Sequence, residues 1–99
     1  MMNSYKKLKK ITKKSIKTQD NDVLLLCKVL KTIFDNDFVP YNDLIRLKQH
    51  REAFGKLTMP INKLSVPQRR RIIVQQGKGF LPILLPIAIS ALWSILSQK

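Results

Sequence analysis

Acidic side chains are missing from both ends of this chain: residues 1–19 and 53–99 contain neither Asp nor Glu, and all six acids fall between Asp20 and Glu52. Cysteine and histidine are almost absent, with Cys27 and His50 as the single representatives, so an internal disulfide is excluded and a four-ligand zinc site cannot be built from one chain. Only three glycines occur, Gly55, Gly77 and Gly79, and none forms a phosphate-cradling loop. No nucleophile–base pair is visible, and the scattered acids define no acid/base dyad. These absences argue against an enzyme and against a resident cofactor or metal.

What is present is positive charge. The chain of 99 residues carries net +13, with seven lysines in residues 1–19 (Lys6, Lys7, Lys9, Lys10, Lys13, Lys14, Lys17) and seven basic groups in residues 53–99, flanking a nearly neutral centre. Charge of one sign on this scale attracts polyanions, meaning nucleic acid or anionic lipid headgroups. The opening lysine-rich segment places Tyr5, Leu8, Ile11 and, more loosely, Ile16 on one side of a helix. Seven like charges repel, so it is expected to be a flexible basic arm, disordered or helical only against a polyanion.

The middle reads as three helices. Asp20, Asn21 and Asp22 supply N-terminal capping oxygens and negative charge where the helix dipole favours it. Val23, Leu26, Cys27, Leu30, Ile33 and Phe34 then follow helical spacing, and Asp35, Asn36 and Asp37 end the run. Cys27 lies on that apolar stripe and is expected to be a buried, unreactive thiol. A second helix opens at Pro40 and Asn42 and runs to about Leu57, with Leu44, Leu47 and Phe54 on its apolar side and His50 as an ordinary half-packed or exposed residue. The third starts at Ser65, where Ser65 and Gln68 fit a capping box with Pro67 in the first turn, and stops at Gly77; the β-branched Ile72, Ile73 and Val74 leave a short strand as the competing assignment.

Phe80–Leu96 follows as seventeen consecutive uncharged residues. As a helix it measures about 25 Å at ~1.5 Å per residue, slightly short of a ~30 Å hydrocarbon core. Pro82 and Pro86 place the start of regular helix near Pro86. A stripe of Pro82, Pro86, Ser90 and Ser94 stands opposite Leu85, Ile89, Leu92 and Leu96, a pattern suited to an interfacial helix or to tight packing on another helix. So small a body is not expected to cover such a run alone, so a membrane, a larger protein or copies of the same chain are expected to take it up. Phe80, Leu81, Leu84, Leu85, Ile89, Leu92, Trp93 and Leu96 are the membrane-contacting candidates. With only Ser97, Gln98 and Lys99 after it, the segment is not expected to be a cleaved N-terminal signal.

The expected fold is therefore all-α: a basic arm (1–19), a small three-helix domain (20–76), a glycine hinge (77–79) and an apolar C-terminal helix (80–99). The nucleic-acid-binding candidates are Lys6, Lys7, Lys9, Lys10, Lys13, Lys14, Arg69, Arg70 and Arg71, acting on phosphates without base reading.

Three blocks carry a family resemblance: Leu26-Cys27-Lys28; Leu47-Lys48-Gln49-His50-Arg51 with Leu57; and Val66-Pro67-Gln68-Arg69-Arg70-Arg71-Ile72-Ile73-Val74-Gln75-Gln76-Gly77-Lys78-Gly79-Phe80-Leu81-Pro82. In these the chain resembles small basic proteins of Maverick/Polinton elements and adintoviruses, which look like counterparts of the adenovirus core peptide that condenses the genome or of the minor capsid protein that disrupts membranes. The resemblance implies a virion-associated protein, located in the virion and in the host nucleus or at a host membrane, with DNA, membrane lipid and viral capsid proteins as partners. Gln76-Gly77-Lys78-Gly79 is similar to adenovirus-type maturation sites, apart from Gln75 where an apolar residue belongs, and implies a cut between Lys78 and Gly79. The rival readings are a tail-anchored or monotopic membrane protein with a basic cytoplasmic body, and the precursor of a lytic peptide. A homo-oligomer is compatible with each.

Overall fold

Six α-helices make up the regular structure of a computed structural model that describes residues 2–35, 45, 48–77 and 80–97. They are α1 (Met2–Lys9), α2 (Lys13–Thr18), α3 (Asp20–Asp35), α4 (Arg51–Leu57), α5 (Val66–Gln75) and α6 (Phe80–Leu96), with short 3-10 turns at Lys48–His50 and Ile61–Lys63. The fold is all-α, as the periodicity predicts. No strand occurs among the described residues, so Ile72, Ile73 and Val74 belong to helix α5. Asn36, Asp37, Pro40, Asn42, Leu44, Leu47, Lys78 and Gly79 lie outside the described residues.

Local chemistry sets the helix ends. At α5 the Ser65 side chain accepts from the Gln68 amide while the Gln68 side chain accepts from the Ser65 amide, the reciprocal capping box read from the sequence. Gly77 closes the same helix at φ +88°, a conformation that a Cβ would strain. A second box caps α2, where Thr12 and Ser15 exchange side-chain and backbone bonds of 3.1 and 2.8 Å. Asp20 and Asp22 occupy the first turn of α3 itself, opposite the positive end of its dipole.

One core unites these elements. Leu8 from α1, Ile16 from α2, Leu26 and Ile33 from α3, Leu57 from α4, Ile73 from α5, and Phe80, Leu84 and Leu92 from α6 are all nearly or fully buried in it. The Cα radius of gyration, 12.5 Å, fits a chain of this length folded into a single body, which is expected near 13 Å. Two expectations are corrected by this packing. The lysine-rich start is not a free arm: it forms α1 and α2, which pack on α3, α5 and α6 through Leu8, Ile11 and Ile16. Magnitudes explain the outcome. Each of these three apolar side chains gains about 1.5–3 kcal/mol on burial, whereas neighbouring ammonium groups pointing into water repel by about 1 kcal/mol at 4 Å and less in salt.

The second correction concerns the apolar run, which the body does cover. α6 packs on α1 and α3, with Phe80, Leu81, Leu84, Ile87, Ala88, Ala91 and Leu92 buried. It begins at Phe80 rather than near Pro86. Pro82 is still in the first turn, where no amide bond is due, and Pro86 forfeits a single bond to the Pro82 carbonyl. Both prolines lie on the exposed side of α6 with Ser90 and Ser94, so the stripe of small residues faces solvent.

Candidate nucleic-acid interface

The lysines of α1 and α2 are held outward by the residues between them. Leu8 and Ile16 are fully buried and Ile11 nearly so, and the 3.6-residue period then directs Lys6, Lys7, Lys9, Lys10, Lys13, Lys14 and Lys17 into solvent; all seven are exposed. Six of them are among the nine side chains that the sequence nominates for polyanion contact. None of α1, α2, α5 and α6 contributes an acidic side chain to this face. The nearest acids in the chain, Asp20 and Asp22, open α3, and Asp20 is already engaged by Arg70. The surface is therefore a continuous cationic face on a rigid support.

The arginine triplet divides into three roles. Arg69 is 1% exposed, and its guanidinium serves as a clamp: Nη1 donates to the Leu57 carbonyl (2.9 Å), Nη2 to those of Met59 (3.1 Å) and Pro60 (2.9 Å), and Nε to that of Leu64 (3.0 Å). These are the carbonyls released where α4 ends and the chain turns toward α5, and the planar fork matches four of them at once. With four of its five N–H groups committed to these carbonyls and its side chain buried, Arg69 cannot reach a phosphate, and its assignment as a nucleic-acid contact is corrected. Arg70 is half-buried; its Nε donates to the Ile16 carbonyl (2.9 Å) and its Nη2 pairs with Asp20, so it clasps α5 to the junction of α2 and α3. Arg71 alone of the three is exposed, and it lines a shallow cleft with Lys56 and Lys63. Sequence reasoning treats three adjacent arginines as one patch, but the 100° step per residue sends them to three sides of the helix.

The membrane-contact candidates also divide. Phe80, Leu81, Leu84 and Leu92 are core residues, and Leu85, Ile89 and Leu96 are partly buried against that core. Trp93 stands apart at 50% exposure, with its ring 5.3 Å from that of Tyr5 at a tilt of 41°. The Lys9 Nζ sits 5.3 Å from the centre of the Tyr5 ring, a cation–π distance. The periodicity of α1 puts Tyr5 on its apolar side, but nothing in the sequence pairs it with Trp93, 88 positions away. No single helix among the described residues is long and apolar enough to cross a membrane; α5 and α6 meet the length and composition together, bent by 113° at the break between them.

The remaining polar groups are structural. The His50 ring is half-buried, with Nδ1 3.0 Å from Gln76 Oε1 and its edge against Phe80 at 4.9 Å, which ties α4 to the turn between α5 and α6. Cys27 is buried in α3; burial pushes its thiol above the usual range, against the opposing hydrogen bond and charge of Arg69. No cluster of His, Cys, Asp or Glu among the described residues could hold a metal ion. Among known proteins, no family model, curated protein or solved structure matches this chain.

Proposed function

We propose that the protein is a non-enzymatic, virion-associated nucleic-acid-binding protein whose contact surface is the lysine face of α1 and α2, with Arg71, Lys56 and Lys63 as a separate cationic cluster. The observation that carries this reading is the anchoring of that face: seven exposed lysines on helices whose apolar sides are locked into the core. A preformed cationic array pays little conformational entropy on binding, unlike a disordered tail that must be ordered by its partner. Affinity comes from release of condensed counterions as phosphates are neutralised, with no base-reading element to add sequence preference. The virion setting rests on the resemblance in residues 66–82. Engagement of lipid by α6 would require that helix to leave the core it now fills, so capsid protein or a further copy of the chain is the simpler neighbour for its exposed side.

Binding to a duplex measured across salt tests the reading. The log–log slope falls by about 0.9 for each phosphate contact removed, so replacing Lys6, Lys9, Lys10 and Lys13 together by Gln lowers it by about 3–4. For six to ten contacts the intact protein loses about 10³–10⁵ in affinity between ~50 and ~200 mM salt. A salt-insensitive complex, or an unchanged slope in the quadruple variant, would overturn the proposal.

A further inference from the structure

Trp93 is anomalous on α6. The other fully exposed residues of that helix are Pro82, Pro86, Ser90 and Ser94, whereas every other large side chain is buried or half-covered. An indole with half its surface in water forgoes apolar burial that the fold elsewhere secures efficiently. Among the described residues its one aromatic neighbour is Tyr5, inclined at 41° to it, so the two rings form an open pair and not a closed parallel stack. The Lys9 Nζ lies over the Tyr5 ring, so the aromatic surface left open is that of Trp93, and no acidic side chain comes from α1 or α6.

From this juxtaposition we infer that Trp93, backed by Tyr5 and by the Lys9 cation over that ring, is a stacking platform for unpaired bases, so that the protein prefers single-stranded to duplex nucleic acid. The inference rests on the proposed nucleic-acid reading and adds a substrate class to it. Its physical basis is the division of labour in single-strand recognition: cations follow the backbone, and an exposed ring receives a base face that a duplex keeps hidden within its stack. Both parts are present here within one helix–helix contact, α1 against α6. An anionic lipid surface would meet the same charges, but the apolar side of α6 that it would need is buried, leaving prolines and serines around the indole.

The chain contains a single tryptophan, so its emission reports on this site without labelling. The test titrates the full-length protein at about 150 mM salt with a dT oligomer of about 16 nucleotides, with a duplex of equal charge, and with phosphatidylglycerol/phosphatidylcholine vesicles. The expected result is quenching of Trp93 by the oligomer, with tighter binding than to the duplex. Trp93→Ala should weaken oligomer binding about 5- to 150-fold, the value of one stacked base, and leave duplex binding unchanged. Trp93→Phe keeps an aromatic face at the same position and should retain most of the affinity, which separates stacking from loss of fold. Equal affinity for oligomer and duplex with unaltered emission would overturn the inference while leaving the electrostatic reading intact. Binding to neither nucleic acid would overturn both. A blue shift with vesicles and no quenching by the oligomer would assign the rings to a lipid surface instead.

Discussion

Replacing Arg69 by Met removes a charge that the sequence would assign to a ligand, and the structure says that the fold will suffer instead. The guanidinium makes four hydrogen bonds to main-chain carbonyls, one of them buried and three partly buried. Bonds to a charged group are worth about 1.5–3 kcal/mol each, so a simple sum would reach ~6–12 kcal/mol. That sum is too large, because water can reach three of the four carbonyls once the side chain is shortened. Counting the Leu57 carbonyl as fully stranded, at about 1–3 kcal/mol, and the loss of roughly one net charged bond among the rehydrated others leaves about 3–5 kcal/mol. A domain of this size has about 5–15 kcal/mol in total, so Arg69→Met should bring the protein to the edge of stability at 37 °C. Urea unfolding followed by helical circular dichroism at low temperature gives the value directly. Arg69→Lys is the informative companion, since one ammonium cannot reproduce the fork, and should lose roughly half as much. Arg71→Gln, one residue pair away on the exposed side, should stay within about 0.5 kcal/mol. If Arg69→Met cost less than about 1 kcal/mol, or no more than Arg71→Gln, the clamp would not be holding the α4–α5 connection and the argument would fail.

Two further outcomes follow from the packing. Leu84→Ala opens a cavity at a fully buried position of α6 and should cost about 2–5 kcal/mol by chemical denaturation, whereas Ser94→Ala on the exposed side should be nearly neutral; similar small effects from both would remove α6 from the core. Because the folded Cys27 thiol titrates above its unfolded value, the native state keeps a proton that the unfolded chain releases, so this contribution is intact below about pH 8.5 and is lost as pH rises through the folded value. Cys27→Ala should flatten that alkaline decline in urea midpoints, and a thiol reagent at neutral pH should modify Cys27 only as fast as the protein unfolds.

Helix positions were legible wherever a local signal was complete. The Ser65–Gln68 box, Pro67 and Gly77 fixed α5 at both ends, and the stripe of Val23, Leu26, Cys27, Leu30 and Ile33 fixed the buried side of α3. Thr12 and Ser15 carried an equally local cap that interrupts the lysine-rich segment into two helices, visible in the spacing once Ser is admitted as the second partner. What periodicity cannot convey is which apolar stripes meet. Leu8 and Ile16 are few among seven lysines, and only their shared destination on α3, α5 and α6 makes them decisive. The same limit applies to α6: a run of apolar residues says that cover is needed, and α1 and α3, with Phe54 of α4 at one end, supply most of it. The site suffered most where neighbours in sequence were taken as neighbours in space, as with Arg69, Arg70 and Arg71, and least where a helix period could be read directly, as with Lys6, Lys9 and Lys13.

Because Leu8 locks α1 onto α3 and α6 and Ile16 locks α2 onto α3 and α5, any occupancy of the cationic face and the integrity of the interior are coupled by mass action. An anionic scaffold that favours the assembled array raises the melting point of the whole molecule. Conversely, any event that detaches α6 strips α1 of its main support and frees the greasy helix in the same stroke, so loosening of the lysine array and exposure of an apolar surface become one thermodynamic event.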